Sequence, residues 1–402
     1  MEMKNILYGD GIHDDFPAIQ EMLDSGMTCV YLPVPEKYYL ISSSLCIHSN
    51  QELKLDRYTR VRLTDQANCV MVTNAEPASV NENITVTGGI WDMNHNNQKP
   101  NPGHFPDPDT GLTIHEWNEK NNFDKKGTYM QPIYNGICFV FNHVKSLYVG
   151  NITIENPVLY GMDISFTEDF TIENIQFEYH EGSPKLWNLD GVHIEGGCRN
   201  GLIRNLHGAC HDNMVAITSD DWLYGPIENI IIDGIYAYNS HSAVRLLSAR
   251  TPVKNINISN IYGTYYCYCI IIDKFIQVEE RSAFENINIS NIYASLCPGT
   301  VDVAGNLRPL IAIGPNLDMT MLTLSNIYRN ETHCPHATIG FYEDTCIKNV
   351  SISCSAQTNA TGRPMPFIKN DGTIDKLYLV NIDTGDDELL SGNGAVNHIV
   401  KH

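Results

Sequence analysis

Two aspartates and a histidine in the middle of the chain recur at similar intervals. Asp190 and Asp212 are 22 residues apart, and His241 follows 29 residues after Asp212. Two carboxyl groups can cleave a glycosidic bond, because one donates a proton to the leaving oxygen while the other activates water or attacks the anomeric carbon. Crowding of like charges helps to keep one of them protonated. The pattern indicates general acid/base chemistry if the fold stacks these segments.

Alternation of apolar and polar residues places further candidates beside Asp190. In the segment 190–194 the apolar residues point inward, so His193 points outward. The same alternation points Arg245 outward, with the small Ala216 between the two. We therefore expect a sugar-binding pocket floored by Ala216 and walled by His193, Arg245 and the carboxylates. His241 is expected to orient a carboxylate or a water molecule.

The elements that must position these residues repeat along the chain. One phrase alternates β-branched and polar residues and closes on asparagine, as in Asn151–Asn156, Asn255–Asn260 and Asn286–Asn291. Period-two alternation predicts strands, and asparagine suits the left-handed backbone of a sharp corner. Most copies lie about one solenoid coil apart, and such units bury their apolar face only by stacking. The sequence predicts an all-β, right-handed parallel β-helix forming one domain over residues 1–402.

Two segments depart from the repeat. Residues 9–25 carry Asp14, Asp15 and Pro17 ahead of an apolar face, which predicts a short helix capping the open N-terminal end of the solenoid. Residues 94–130 include Trp117 and have no period, which predicts a long loop insertion folded over one face.

Composition narrows the classes of partner. The formal charge is −21, which argues against nucleic acid or an anionic membrane as a partner. The sequence contains no run of eighteen apolar residues, so we expect no transmembrane helix. The first residues lack the pattern of a secretory signal, so we expect a cytoplasmic protein. The twelve cysteines are scattered and are interpreted as small core residues. We expect no cofactor and no metal, since no phosphate loop, zinc motif or nucleotide fingerprint occurs.

The chain resembles the pectin-lyase-like β-helix superfamily, beginning with Gly9-Asp10-Gly11 and Asp14-Asp15. Its central third is most similar to the polygalacturonase-like glycoside hydrolases of family 28. The motifs that carry this resemblance follow one another at one-coil spacing; they are Asn188-Leu189-Asp190-Gly191, His211-Asp212-Asn213, Ser240-His241-Ser242 and the segment ending in Asp273-Lys274. The resemblance implies a glycoside hydrolase that inverts configuration at the cleaved bond.

Two departures from the family pattern change what the resemblance implies. Asn213 stands where the family has its general acid, so we expect Asp220 or Asp221 to supply the missing carboxyl group, with Asp190 or Asp212 as its partner. Lys274 lacks the arginine that accompanies it in the family's uronate-binding pair. A neutral or singly charged oligosaccharide therefore fits better than polygalacturonate.

The aromatic side chains near these motifs could stack on sugar rings or simply pack; they are Trp187, Trp222, Tyr224 and, in the insertion, Trp117.

Other function classes stay open at this point. A polysaccharide lyase or uronate epimerase on the same fold would use Arg245 or Lys274 as a base, with the acidic cluster holding a metal ion. Asn213 keeps a non-catalytic carbohydrate-binding β-helix possible. The predicted partner in every case is an oligo- or polysaccharide, and the flat sides of such a fold could also form a homo-oligomer.

Overall fold

The recurring strand-and-asparagine phrase folds as stacked parallel strands, as the alternation predicts. The protein is described by a computed structural model that covers residues 5–120, 134–179, 188–221, 223–276, 278–299 and 308–401. Strands of successive coils pair in parallel throughout two long sheets, and the architecture is a right-handed parallel β-helix. Neither helix among the described residues has the length and apolarity that a bilayer crossing requires.

The helices are α1 (Phe16–Asp24) and α2 (Ile114–Lys120), with a short 3-10 turn at His95–Asn97. The strands are β1 (Cys29–Leu32), β2 (Tyr39–Ile41), β3 (Leu45–Ile47), β4 (Gln51–Leu55), β5 (Arg60–Leu63), β6 (Val72–Asn74), β7 (Asn81–Thr87), β8 (Ile90–Asp92), β9 (Phe139–Asn142), β10 (Val144–Glu155), β11 (Met162–Ser165), β12 (Glu168–Glu178), β13 (Val192–Glu195), β14 (Arg199–Gly208), β15 (Asn213–Thr218), β16 (Ile227–Ser240), β17 (Ser242–Leu247), β18 (Val253–Tyr265), β19 (Ile270–Asp273), β20 (Ser282–Leu296), β21 (Ile311–Ile313), β22 (Leu317–Glu331), β23 (Ile339–Phe341), β24 (Thr345–Asn359), β25 (Ile368–Asn370), β26 (Thr373–Asp383), β27 (Leu390–Ser391) and β28 (Ala395–Lys401).

Two sheets run the length of the solenoid. The front sheet contains twelve short strands in the order β27-β25-β23-β21-β19-β17-β15-β13-β11-β9-β6-β3, and the back sheet contains the other sixteen. In the front sheet Val192 pairs with Val215, and Val244 pairs with both Val215 and Ile270, so each strand lies one coil from the next. These inward side chains are fully buried, and each contributes about 1.5–3 kcal/mol through loss of apolar surface to water.

The described residues of both segments that depart from the repeat lie outside the regular coils. Helix α1 carries Ile19 and Leu23 into the end of the core, as predicted for a capping helix. The described part of the insertion holds α2, a helix that the sequence pattern did not predict. Its Ile114 packs with Val140 and Tyr160 against the outer side of the front sheet. The twelve cysteines, all within the described ranges, are free thiols, and seven of them are buried.

Asparagines form a ladder at one corner of the back sheet. Asn260, Asn291 and Asn326 have φ of 60°, 57° and 54°, in the left-handed region. The Asn291 side chain donates from Nδ2 to Oδ1 of Asn260 at 3.1 Å and accepts from Nδ2 of Asn326 at 2.9 Å. The same residue therefore supplies both the corner conformation and a link between coils.

Substitution of Asn291 separates these two contributions. We expect Asn291→Ala to lower the free energy of unfolding by about 2 kcal/mol. The left-handed backbone conformation is unfavourable for alanine by roughly 1–2 kcal/mol, and the amide hydrogen bonds are lost. Asn291→Gly should cost about 1 kcal/mol less, since glycine keeps the backbone conformation at little cost. Urea denaturation measures both values. Equal losses for the two variants would contradict a conformational contribution.

Candidate functional site

The outward side chains of the front sheet form a row of polar residues in its middle. Strand register aligns Asp163, His193, Ala216 and Arg245 on four successive coils. Asp190, Asn213 and Ser242 form a second row where the strands begin, with Asn213 and Ser242 paired as the first residues of β15 and β17. The solenoid thus brings residues that are far apart in the chain onto one face.

Asp190 and Asp212 meet across the side chain of Asn213. The Nδ2 of Asn213 donates to Oδ1 of Asp190 at 3.0 Å and to Oδ1 of Asp212 at 2.8 Å. Because one nitrogen serves both carboxylates, these two oxygens lie within about 6 Å of each other. The backbone N–H of Asn213 also donates to Oδ1 of Asp190, at 2.8 Å. The two predicted carboxyl groups therefore form a pair on the same face.

Two hydroxyl groups fix the orientation of the Asn213 amide. Its Oδ1 accepts from Ser242 Oγ and from Tyr268 Oη, each at 2.8 Å. Hydroxyl donors on one side leave only the NH₂ group to face the two carboxylates. An amide therefore does here what a third carboxylate could not, because it donates to both members of the pair.

The surroundings of Asp212 favour its protonated form. Burial, followed by the negative charge of Asp190, raises the pKa of Asp212 from its ordinary value of 3.8 to about 7. Nδ1 of His241 lies 3.5 Å from Oδ1 of Asp212, and burial lowers the pKa of His241 to about 4. At neutral pH a neutral imidazole thus lies beside a carboxyl group that still carries its proton in part.

His193 lies between Asp190 and a second group of acids, which consists of Asp163, Glu195 and Asp221. Its Nδ1 is 2.8 Å from Oδ2 of Asp190, its Nε2 is 2.9 Å from Oγ1 of Thr218, and its ring stacks on Tyr160 at 4.2 Å. Burial alone lowers the pKa of His193, but the hydrogen bond and charge of Asp190, together with other nearby carboxylates, raise it overall. His193 is therefore held in one orientation by partners on both ring nitrogens.

Two acids that the sequence reasoning missed, Asp163 and Glu195, complete this second group. Both are fully buried, and one ligand atom from each lies within 4.8 Å of the other and of a ring nitrogen of His193. These three residues have the spacing and donor atoms to hold a metal ion. A comparison of Gly161-Met162-Asp163 with Gly191-Val192-His193, one coil later, could have identified Asp163. In both segments a glycine and an inward apolar residue are followed by a residue that faces outward.

The two acids after β15 have different surroundings. Asp220 is fully buried, and its Oδ2 accepts the backbone N–H groups of Ala249, Arg250 and Thr251 at 2.7–2.8 Å. It thus fixes the loop after β17. Asp221 is partly exposed and lies on the site, with Oδ2 4.0 Å from Nε2 of His193.

The predicted cations are engaged by other groups. Arg245 makes a two-point ion pair with Asp273 at 2.9 and 3.1 Å and lies over the Phe275 ring. Lys274 donates to the backbone carbonyls of Val278 and Glu280. The fold therefore brings Arg245 to the edge of the site but directs Lys274 into its own loop.

Two of the four aromatic candidates, Tyr224 and Trp117, are among the described residues. Trp187 and Trp222 lie outside the described residues. Tyr224 packs under the guanidinium of Arg250 at 4.9 Å, and Trp117 belongs to α2. Tyr268 and Tyr266, which sequence reasoning did not select, flank His241 with edge-on ring contacts at 5.7 and 5.3 Å. The aromatic wall of the described site is made of tyrosine.

Comparison with known proteins places the fold. No protein-family model matches this chain, and no curated protein sequence matches it. Among solved structures, endo-xylogalacturonan hydrolase from Aspergillus tubingensis is similar with a TM-score of 0.60 and 15% identity over 96% of this chain and 97% of that one. Polygalacturonase from Erwinia carotovora gives 0.58 and 12% over 97% and 95%. The Streptococcus pneumoniae surface protein and adhesin PfbA gives 0.54 and 14% over 98% of each chain. Identities this low show the fold alone, a right-handed parallel β-helix.

Proposed function

We propose that the protein is a glycoside hydrolase that cleaves a neutral or singly charged oligo- or polysaccharide. The observation that carries this proposal is the pair formed by Asp190 and Asp212 across Asn213. Asp212, with its raised pKa, retains a proton for the leaving oxygen, and Asp190 acts on the attacking water. Asp212 thus takes the role of general acid that the family pattern would give to position 213, and neither Asp220 nor Asp221 is needed as a substitute.

The charges around the pair support a substrate that is not polyanionic. Asp190, Asp212 and Asp221 lie on one face, while the charge of Arg245 is compensated by Asp273. A chain of uronates would meet repulsion here. A neutral glycan avoids that cost, and the partly exposed Arg245 is placed to meet a single anionic group.

The arrangement of the cations favours hydrolysis over elimination or epimerisation. Those reactions would use Arg245 or Lys274 as a base, but Arg245 is held by Asp273 and Lys274 by backbone carbonyls. A base must also reach the proton that it removes. Asp212 also accepts hydrogen bonds, from Asn213 at Oδ1 and from the backbone N–H of Asn188 at Oδ2, but its side chain is partly open to solvent.

We further propose that cleavage inverts the anomeric configuration. Both oxygens of Asp190 accept hydrogen bonds, Oδ1 from Asn213 and Oδ2 from His193. The oxygens of Asp190 and Asp212 lie within about 6 Å, closer than the roughly 6.5–9.5 Å that is usual for inverting pairs, so the anomer formed decides between inversion and retention. Proton NMR of the first product formed should show the inverted anomer; a retained anomer would contradict the assignment of Asp190 as base.

A glycan panel tests the reaction class. Neutral, singly charged and polyuronate oligosaccharides are incubated with the protein, and reducing ends and ultraviolet absorbance are followed together. We expect new reducing ends from a neutral or singly charged glycan without absorbance, because hydrolysis creates no double bond. Absorbance that rises with cleavage would indicate a lyase. Glycan binding without turnover across the whole panel would favour the non-catalytic alternative and overturn the proposal.

A further inference from the structure

The second group of acids contains a carboxylate whose burial is not explained by any protein partner. Asp163 has no exposed surface, and neither of its carboxylate oxygens has a hydrogen-bond partner among the described residues. An ionised carboxylate in such a place costs several kcal/mol unless a positive charge compensates it. A ring nitrogen of His193 lies within 4.8 Å of a carboxylate oxygen of Asp163, yet neither oxygen of Asp163 accepts a hydrogen bond from a described residue.

The neighbouring histidine is oriented as metal-binding histidines are. Asp190 accepts from Nδ1 of His193 and so fixes the ring, leaving Nε2 directed at the acids. Oε1 of Glu195 lies 3.9 Å from Nε2, and Oδ2 of Asp221 lies 4.0 Å from it. Oγ1 of Thr218 lies 2.9 Å from Nε2 and 3.2 Å from the carbonyl of Ile194, so the Thr218 side chain must rotate about χ1 to admit an ion at Nε2.

We propose that Asp163, His193 and Glu195 bind a divalent first-row transition-metal ion, with Asp221 as a fourth ligand. Ligand bonds of about 2.1 Å place two ligand atoms up to about 4.2 Å apart, which accommodates the separations of Glu195 and Asp221 from Nε2. One imidazole with two or three carboxylates suits Mn²⁺ or Zn²⁺ better than Ca²⁺, which prefers six to eight oxygen ligands. Binding requires a neutral His193 and therefore releases its proton.

The site is separate from the carboxylate pair that carries the proposed hydrolysis. Asp212 lies on the far side of Asn213 and is not a ligand, whereas Asp190 touches both groups. A metal titration therefore tests the proposed metal site independently of whether the glycan panel reveals turnover.

Calorimetric titration of the chelator-treated protein with MnCl₂, ZnCl₂ and CaCl₂ tests the proposal. We expect one Mn²⁺ or Zn²⁺ per chain, bound at least about 10-fold more tightly than Ca²⁺. Asp163→Asn and Glu195→Gln should each weaken binding by about 100-fold or more, and Asp190→Asn by about 10–100-fold through loss of the hydrogen bond that orients the His193 ring. Asp212→Asn is the matched control and should bind within about threefold of the wild type.

Thermal unfolding gives a second readout that does not depend on calorimetry. The wild type should gain thermal stability when the preferred ion is added, and Asp163→Asn should not. Without metal, Asp163→Asn should unfold at a temperature no lower than the wild type, because an amide removes an uncompensated buried charge. Absence of stoichiometric Mn²⁺ or Zn²⁺ binding, or equal binding by wild type, Asp163→Asn and Glu195→Gln, would overturn the proposal.

Discussion

Replacing Asp212 with asparagine is expected to reduce glycan turnover by about 10²–10⁴-fold, the usual contribution of a general acid. Asparagine keeps the size of the side chain and can still face Asn213, so the fold and the affinity for glycan should change little. The effect should therefore fall on kcat. Initial rates on the best substrate of the panel, with circular dichroism to verify folding, measure it.

The same assignment fixes the direction of the pH dependence. Asp212 must be protonated to act as an acid, and its pKa is raised to about 7. The rate should therefore fall as pH rises through about 7, as the proton is lost. Because the pKa of His241 is lowered to about 4, this histidine is already neutral over that range and does not produce the fall.

A variant remote from the pair controls for general loss of activity. Asp233 lies in the asparagine ladder of the back sheet, where it accepts from Ser259 and Asn260. Asp233→Asn should leave both the rate and the pH profile unchanged. Full turnover by Asp212→Asn, or a wild-type rate that does not fall above pH 7, would remove Asp212 from the mechanism.

The fold could be predicted from the sequence because its determinants are local. Period-two alternation in segments such as Asn255–Asn260 specifies strands, and asparagine at the corner specifies a left-handed turn. Repetition of the unit leaves stacking as the way to bury its apolar face. Helix α2 was missed because its seven residues carry no clear period and are stabilised by contacts of Ile114 with Val140 and Tyr160.

The site could be predicted only in part, because hydrogen-bond direction is a tertiary property. Coil spacing suggested that Asp190 and Asp212 share a face, but the bridging role of Asn213 depends on hydroxyl donors from Ser242 and Tyr268. Asp220 and Asp221 are neighbours with the same chemistry. Only the position of three backbone N–H groups decides that Asp220 fixes a loop while Asp221 faces His193.

The second large effect concerns stability at a buried ion pair far from the carboxylates. Arg329 and Glu331 have no exposed side-chain surface, and the guanidinium donates to Oε2 of Glu331 at 2.7 and 3.0 Å. We expect Glu331→Gln to lower the free energy of unfolding by about 3–5 kcal/mol, because the guanidinium is left buried without its counter-charge. Chemical denaturation of the two proteins at neutral pH measures this difference.

An exposed ion pair provides the matched control. Arg199 donates to Glu168 at 2.6 Å, but both side chains are a third or more exposed, so Glu168→Gln should cost less than about 1 kcal/mol. A loss at Glu331 no larger than the loss at Glu168 would show that burial does not strengthen the pair.

The pH dependence of the Glu331→Gln effect gives a further check on its electrostatic origin. Burial alone raises the pKa of Glu331, but the charge of Arg329 and the N–H groups of Cys334, His333 and Leu296 lower it overall. A lowered folded-state pKa stabilises the protein above the unfolded value of about 4.3 and loses that contribution as pH falls further. The difference between wild type and Glu331→Gln should therefore be constant near neutrality and shrink below about pH 4. A difference that persists unchanged in acid would identify packing, not charge, as its cause.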